Sequence, residues 1–94
     1  MTIRWTKRAI RRLVSIHAYI SNDSPASAAR VAAGILDTAV QLQQFPQIGR
    51  PGRIDGTREL VVSELPFVIP YRIAEDAILI LSVIHTSRKW PETL

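Results

Sequence analysis

The sequence predicts an α+β fold in which a short N-terminal strand and a helical hairpin pack on a small, twisted antiparallel sheet. Two segments in the first half carry apolar residues at helical spacing, and the segments of the second half are rich in β-branched residues. The predicted element order is β-α-α-β-β-β. It fills a single domain of residues 1–94, because a chain of this length can bury one small core.

The first helix is predicted to run from Thr6 to about Asn22. Strand-like residues Thr2–Trp5 precede it, and threonine is a common helix N-cap. Its apolar side chains fall on one arc, which should face the core. They are Ala9, Ile10, Leu13, Ile16 and Ile20. The opposite arc carries the cations Lys7, Arg8, Arg11 and Arg12.

The second helix is predicted to begin at Ser24 and Pro25, which suit the N-cap and N1 positions. Its apolar residues recur at helical spacing as far as Leu42, and it should stop near Phe45 and Pro46. Because only a short turn separates the two helices, they are expected to form an antiparallel hairpin.

The second half is predicted to hold a loop and then the strands. Residues 47–56 form a loop rich in glycine and proline, and strands follow at residues 57–63, 67–74 and 77–84. The last of these is almost entirely apolar, which is typical of a buried central strand. Pro70 lies within the preceding strand and favours an edge position or a β-bulge there.

Composition excludes several classes of protein. The chain is 47% hydrophobic and 21% charged, as in ordinary globular domains, and it has no cysteine for disulfides or thiolate metal sites. Its acidic residues lack metal-ligand spacing, so we expect no metal and no other cofactor. No apolar run has the length of a signal peptide or a membrane span. A cytoplasmic protein without a membrane partner is therefore expected.

The positive charge is unevenly distributed. The formal net charge is +4, residues 1–22 contain no acidic side chain, and Arg50, Arg53 and Arg58 add a second basic region. Such clustering favours a nucleic acid or an acidic protein segment as partner, while a purely solubilising role is the alternative. Arg50 and Arg53 could hold a phosphate or a carboxylate.

A polar cluster follows the last predicted strand and contains His85, Arg88, Lys89 and Trp90. Functional groups at the end of a rigid strand are well positioned for a site. Trp90 is either a platform on which a base stacks or a lid over the edge of the core. The lid is favoured, because an aromatic side chain near the end of a small domain usually packs down.

No conventional catalytic set is visible in the sequence. Arg58 and Arg72 lie on neighbouring predicted strands and could converge with His85 and Arg88 on one face or rim of the sheet. Arginine clamps phosphate and histidine moves protons, so such a group could support RNA cleavage through the 2′-hydroxyl. It could equally receive an acidic protein segment. For Arg58 and Arg72 alone, surface pairing with Glu59, Glu64 or Glu75 is favoured.

Short motifs along the chain resemble a known family. In chain order they are Trp5-Thr6 with Ala9 and Leu13, Phe45-Pro46 with Gly49-Arg50, Gly56-Thr57-Arg58-Glu59-Leu60, Val68-Ile69-Pro70-Tyr71-Arg72, and Ile80-Leu81-Ser82-Val83-Ile84-His85 with Arg88. In this order and spacing the series resembles the RelE/ParE superfamily of toxins from bacterial type II toxin–antitoxin modules. The resemblance covers nearly the whole chain.

The resemblance implies a toxin that is neutralised by a cognate antitoxin. Such antitoxins pair a DNA-binding part with a toxin-binding segment, so operator DNA would be reached only through the antitoxin. We expect that segment to be acidic and amphipathic and to dock on the helical hairpin and the basic patches. The residues expected to contact the target or the antitoxin are Lys7, Arg8, Arg11, Arg12, Arg50, Arg53, Arg58 and Trp90.

The superfamily divides by target, and the resemblance is closer to the ParE branch. RelE-like members cleave mRNA in the ribosomal A site and carry an arginine early in the penultimate strand, and often a tyrosine in the tail. Here residues 67–71 hold no arginine and residues 90–94 no tyrosine. ParE-like inhibition of DNA gyrase is therefore predicted. The alternatives are an inactive antitoxin-binding homologue and a ribosome-dependent mRNA endonuclease. In the endonuclease, Arg72 and Arg88 would stabilise phosphate charge and His85 would move a proton.

Overall fold

A computed structural model describes residues 1–94 and places two helices against a mixed sheet of six strands. The predicted α+β fold and the succession of a strand, two helices and further strands are confirmed, with two additional strands of two residues each. The elements are β1 (Thr2–Trp5), α1 (Lys7–Ser21), α2 (Pro25–Val40), β2 (Arg50–Pro51), β3 (Arg58–Val61), β4 (Phe67–Ala74), β5 (Ala77–Ile80) and β6 (Ile84–His85).

The sheet has the strand order β1-β5-β4-β3-β2, and β6 also pairs with β4. All pairs are antiparallel except that of β1 with β5, which is parallel. The expectation of a wholly antiparallel sheet is therefore wrong at this pair. A parallel pair needs a long crossover connection, and the helical hairpin together with β2 to β4 supplies it.

The last predicted strand, residues 77–84, is interrupted. Tyr71 pairs with Ile80, whereas Val68 pairs with Ile84, so the chain between β5 and β6 contains one residue more than the facing part of β4. This extra residue is a β-bulge, and it lies opposite Pro70. A bulge is thus found at Pro70, but its extra residue lies in the facing chain and not in β4 itself. The edge position is wrong, since β4 has neighbours on both sides.

Local caps explain where the helices begin. The hydroxyl of Thr6 accepts a hydrogen bond from the Ala9 amide at 3.1 Å and donates one to the Ile80 carbonyl at 2.9 Å, which ties the start of α1 to β5. Ser24 caps α2 by accepting from the Ser27 amide at 3.1 Å. A short 3₁₀ turn, Gln41–Gln43, follows α2 and ends the helical region just before Phe45 and Pro46.

The core lies between the helices and one face of the sheet. It contains Ile35, Leu42, Ile69 and Ile78, all fully buried. The first helix contributes less than its pattern predicts, because Ala9 is its one buried residue and Ile10 is 49% exposed. Part of the apolar arc of α1 is therefore available for contacts outside the core.

Tyr71 connects the sheet to the loop that precedes β2. Its ring is fully buried, and its hydroxyl accepts from the Gly49 amide at 2.9 Å and donates to the Pro46 carbonyl at 2.8 Å. Burial raises the pKa of this phenol above 10.0, which outweighs the opposing effects of the Gly49 hydrogen bond and the nearby Arg58 charge. The hydroxyl therefore stays neutral and can both donate and accept at neutral pH.

Replacing Tyr71 by phenylalanine should lower the free energy of unfolding by about 1–3 kcal/mol, because the buried Gly49 amide and the half-buried Pro46 carbonyl lose their partner. Urea denaturation measures the change. Tyr19→Phe is the matched control, since Tyr19 is 77% exposed, and its effect should stay within about 0.5 kcal/mol. Equal stability of the two variants would contradict this role of Tyr71.

Candidate functional site

A groove of about 500 Å³ runs between α1 and the end of the sheet formed by β4 and β6. Apolar side chains, among them Ile16, Ile20 and Phe67, form part of its wall. The polar residues lining it include Arg12, Ser15, His85 and Arg88. A surface that joins apolar area to cations without an acidic residue is suited to an amphipathic, acidic segment.

His85 is held in a defined orientation in this groove. It pairs with Phe67 across β4 and β6, and the two rings meet edge to face with centroids 5.3 Å apart. The backbone N–H of Ser87 donates to His85 Nδ1 at 3.1 Å, and Ser87 Oγ lies 2.7 Å from the same nitrogen. Because Nδ1 accepts, the proton of the neutral ring lies on Nε2.

The structure brings His85 and Arg88 to the same groove but places Arg72 elsewhere. Side chains alternate between the two faces of a strand, so Arg72 lies on the opposite face of β4 from Phe67, the partner of His85. There its guanidinium lies close to Gly56, where an added Cβ would come within 2.9 Å of Nη1. The predicted convergence of Arg72 with His85 and Arg88 is therefore not observed.

The loop arginines Arg50 and Arg53 hold a carboxylate of the chain itself. Arg50 binds Glu59 Oε1 at 3.0 Å, and Arg53 binds Oε2 through both its backbone amide, at 2.8 Å, and its side chain, at 3.2 Å. Glu59 is 3% exposed, whereas the arginine side chains are half exposed. Burial alone would raise the pKa of Glu59, but the hydrogen bonds from Arg53 and Arg50 outweigh it and the pKa is lowered.

Arg58 and Arg72 do not form the predicted surface pairs with acidic residues. The ion pairs of the chain are those of Arg50 and Arg53 with Glu59. Arg58 instead donates to the carbonyls of Gly49 at 2.7 Å and Gln47 at 3.2 Å. It helps to close the loop that Tyr71 also binds, which is a structural contact that its position in the sequence does not reveal.

Trp90, in the C-terminal tail, contacts the loop between β2 and β3. The guanidinium carbon of Arg53 lies 3.8 Å from the centroid of its ring, a cation–π contact. One face of the ring is thus covered, and Trp90 does not belong to the core cluster. The favoured role of a lid over the core edge is therefore not observed, whereas stacking of a base on the other face of the ring stays a prediction.

The cations of α1 lie at the surface, as predicted. Lys7, Arg8 and Arg11 are exposed and Arg12 is half-buried. Arg8 donates to the Thr93 carbonyl at 3.0 Å, and Arg12 Nε lies 3.4 Å from the Val83 carbonyl. None of them pairs with a carboxylate.

Exposed apolar side chains on the helical hairpin were not among the predicted contact residues. Val14 is 61% and Tyr19 is 77% exposed, and Leu36 and Val40 are about half exposed on α2. The signal was present in the sequence, because Val14 and Tyr19 fall outside the predicted core arc of α1.

No group of three or more His, Cys, Asp or Glu side chains is arranged to hold a metal ion. No helix combines the length and the apolar character needed to cross a bilayer.

Sequence comparisons place this arrangement among known proteins. A sequence model of the family described as the ParE toxin of the type II toxin–antitoxin system parDE matches residues 3–90. The protein Y4kP of Sinorhizobium fredii, named as a candidate toxin, is 52% identical over 92 residues, which cover 98% of this chain and 95% of Y4kP. Toxin RelE2 of Caulobacter vibrioides is 37% identical over 84 residues, or 89% of this chain and 93% of RelE2.

Solved structures give the same result. The chromosomal ParDE system of P. aeruginosa contains a chain that matches with a TM-score of 0.85 and 29% identity, covering 93% of this chain and 97% of that one. The RelBE2 toxin–antitoxin complex of Mycobacterium tuberculosis matches with a TM-score of 0.66 and 27% identity over 89% of this chain and 95% of that one.

Together, the fold and these relatives define the toxin component of a type II toxin–antitoxin system. The chain belongs to the ParE toxin family, within the RelE/ParE superfamily. Both solved structures come from toxin–antitoxin systems, which supports an antitoxin as partner.

Acid should destabilise the fold partly through Glu59. Its folded-state pKa lies below the ordinary glutamate pKa of 4.5, so as the pH falls the unfolded chain takes up the proton first. The ionised carboxylate stabilises the fold above the pKa of the unfolded chain. This stabilisation is lost as the pH falls through the lower folded-state pKa. Urea denaturation between pH 7 and pH 3 should show a steeper loss in the native chain than in Glu59→Gln.

Glu92→Gln, at an exposed position of the tail, is the control and should keep the acid sensitivity of the native chain. An acid sensitivity of Glu59→Gln equal to that of the native chain would show that the ion pairs of Glu59 do not supply this stability.

Proposed function

We propose that this toxin arrests growth by binding and inhibiting DNA gyrase, the activity that its resemblance to the ParE branch implies. The observation that carries the proposal is the separation of Arg72 from His85 and Arg88 on opposite faces of the sheet. The match to the ParE toxin family and the close likeness to a ParDE structure support it.

Cleavage of RNA makes stricter demands on geometry than binding does. A proton-transferring group and a cation must reach the same phosphate within hydrogen-bond distance. His85 and Arg88 lie together, but the strand arginine and the tail tyrosine of RelE-like nucleases have no counterpart at residues 67–71 and 90–94. A toxin that lacks a complete set acts by occupying its target, so its effect depends on stoichiometry and not on turnover.

An mRNA endonuclease is the second candidate, and a specific observation favours it. His85 has its Nδ1 fixed by Ser87, which leaves its Nε2–H as a hydrogen-bond donor for a phosphate in the same open groove as Arg88. Two Caulobacter relatives also carry the names RelE2 and RelE3. In this reading His85 and Arg88 are catalytic, and Arg72 has a structural role in the sheet and no contact with the substrate.

Induced expression without the antitoxin distinguishes the candidates. We expect growth arrest with filamentation, an induced DNA-damage (SOS) response and intact mRNA. The reason is that inhibition of gyrase damages DNA but does not cleave mRNA. Purified toxin should also inhibit supercoiling by gyrase. The antitoxin should abolish both the growth arrest and the inhibition of supercoiling.

Other outcomes of the same experiment have defined meanings. Codon-positioned mRNA cuts without DNA damage would contradict gyrase inhibition and favour the endonuclease. In that case the double variant His85→Ala with Arg88→Ala should lose the cuts. Absence of any growth arrest would identify an inactive homologue that only binds its antitoxin. In each reading the protein acts in the cytoplasm, where its partners lie.

We further propose that the antitoxin inserts an acidic, amphipathic segment into the groove. Its apolar side chains would pack on Ile16, Ile20 and Phe67, and its carboxylates would meet Arg12 and Arg88. Apolar burial would supply most of the affinity, and the charges would fix the direction of the segment.

Arg12→Glu should weaken antitoxin binding by about 10- to 100-fold and reduce its salt dependence, because a favourable charge contact becomes repulsive. Isothermal titration calorimetry at two salt concentrations measures both effects. Arg30→Glu on α2 changes the net charge equally but lies outside the groove, and it should bind normally. Equal losses in the two variants would contradict docking at the groove.

A further inference from the structure

A second cavity, of about 290 Å³, lies beside the groove near the N-terminal end of α1. We call it the basic pocket. Its cations are Arg8, Arg12, Arg88 and Lys89. Arg12 and Arg88 also line the groove, whereas Arg8 and Lys89 line the basic pocket alone.

The charge of the basic pocket is not neutralised within the chain. No acidic residue lines it, and the only carboxylate that forms ion pairs, Glu59, binds Arg50 and Arg53. Arg8 and Arg12 make their hydrogen bonds to backbone carbonyls. The first turn of α1 has no acidic residue, so the positive end of the helix dipole adds to the field.

A cleft lined by one sign of charge concentrates counter-ions of the opposite sign. Arginine is the side chain best suited to bind phosphate, since its planar fork can donate two parallel hydrogen bonds. The arrangement therefore indicates a phosphate ligand that approaches from solvent.

The surroundings of the basic pocket select among phosphate-bearing and acidic partners. Single strands are held largely by stacking on aromatic rings, but no aromatic ring lines the pocket, and one face of nearby Trp90 is covered by Arg53. An amphipathic acidic peptide needs apolar contact area, and Ile84 is the only hydrophobic residue of the lining apart from Pro91. A duplex backbone needs only cations.

We propose that the basic pocket binds the phosphate backbone of duplex DNA without reading its sequence. Contacts to phosphates orient a protein on DNA but carry no sequence information, so recognition of a particular operator stays with the antitoxin. This binding is a property of the toxin itself and does not depend on gyrase being the target.

The test measures binding of purified toxin to a short fluorescent DNA duplex of arbitrary sequence over a range of salt concentrations. The variant is Arg8→Gln with Lys89→Gln, which removes charge from the basic pocket alone. Loss of two phosphate contacts should reduce the slope of log K against log salt by about 2. Circular dichroism verifies that the variant is folded.

The control is Arg4→Gln with Arg30→Gln, which lowers the net charge by the same amount at exposed positions outside the basic pocket. It should keep the salt slope of the native chain. An equal reduction of the salt slope in both double variants would contradict the proposal, because total charge and not the basic pocket would then explain the binding.

Two further probes complete the test, a single-stranded RNA of the same length and polyglutamate. Weaker binding of both than of the duplex is expected. Tighter binding of the RNA or of polyglutamate would overturn the proposal in favour of that class of partner, and no detectable duplex binding at low salt would overturn it outright.

Discussion

The position of the candidate site depends on one missing hydrogen-bond donor in the central strand. Pro70 lies in β4 between two neighbouring strands and has no N–H to offer. Its carbonyl accepts from the Leu81 amide at 2.9 Å. Because the nitrogen and the carbonyl of an extended residue point to the same side, the position of the missing N–H also faces residues 81–83. The facing strand takes up one extra residue there.

That extra residue decides which side chains reach the groove. A shift of one residue in register exchanges the two faces of every residue that follows. With the bulge, His85 stands opposite Phe67 on the face toward α1. Without it, Ile84 would take that place and the histidine would point away from the helix. A proline in β4 therefore sets the chemistry of the groove.

A second constraint holds the other polar residues. Glu59 is buried on β3, and its carboxylate fixes Arg53, which in turn stacks on Trp90 of the tail. The half-exposed arginines keep part of their hydration, so the cost of burying this ion pair is smaller than for a fully enclosed one. The tail that carries Arg88 and Lys89 is thus anchored through a carboxylate far from it in sequence.

The parts of the structure that were predicted from sequence are those with local causes. Thr6, Ser24 and Pro25 determine where the helices begin, and apolar spacing determines which residues form strands. His85 and Arg88 were expected together because they are close in the chain. The parallel pairing of β1, the partners of Glu59 and the contact of Arg53 with Trp90 join distant segments, and no periodicity encodes them. The predicted position of Arg72 beside His85 is wrong for two reasons. Strand alternation puts Arg72 on the opposite face of β4 from Phe67, and the bulge puts His85 on the same face as Phe67.

The distribution of charge links the two proposed binding surfaces. Arg12 and Arg88 line both the groove and the basic pocket, so an acidic segment in the groove would neutralise part of the field that attracts phosphate. Linkage requires the effect to be reciprocal: DNA in the pocket would weaken the electrostatic part of antitoxin binding by the same free energy. Apolar contacts at Ile16, Ile20 and Phe67 would be unaffected, since they carry no charge. The antitoxin would therefore keep its hold on the toxin through apolar burial while reducing the affinity of the toxin for polyanions.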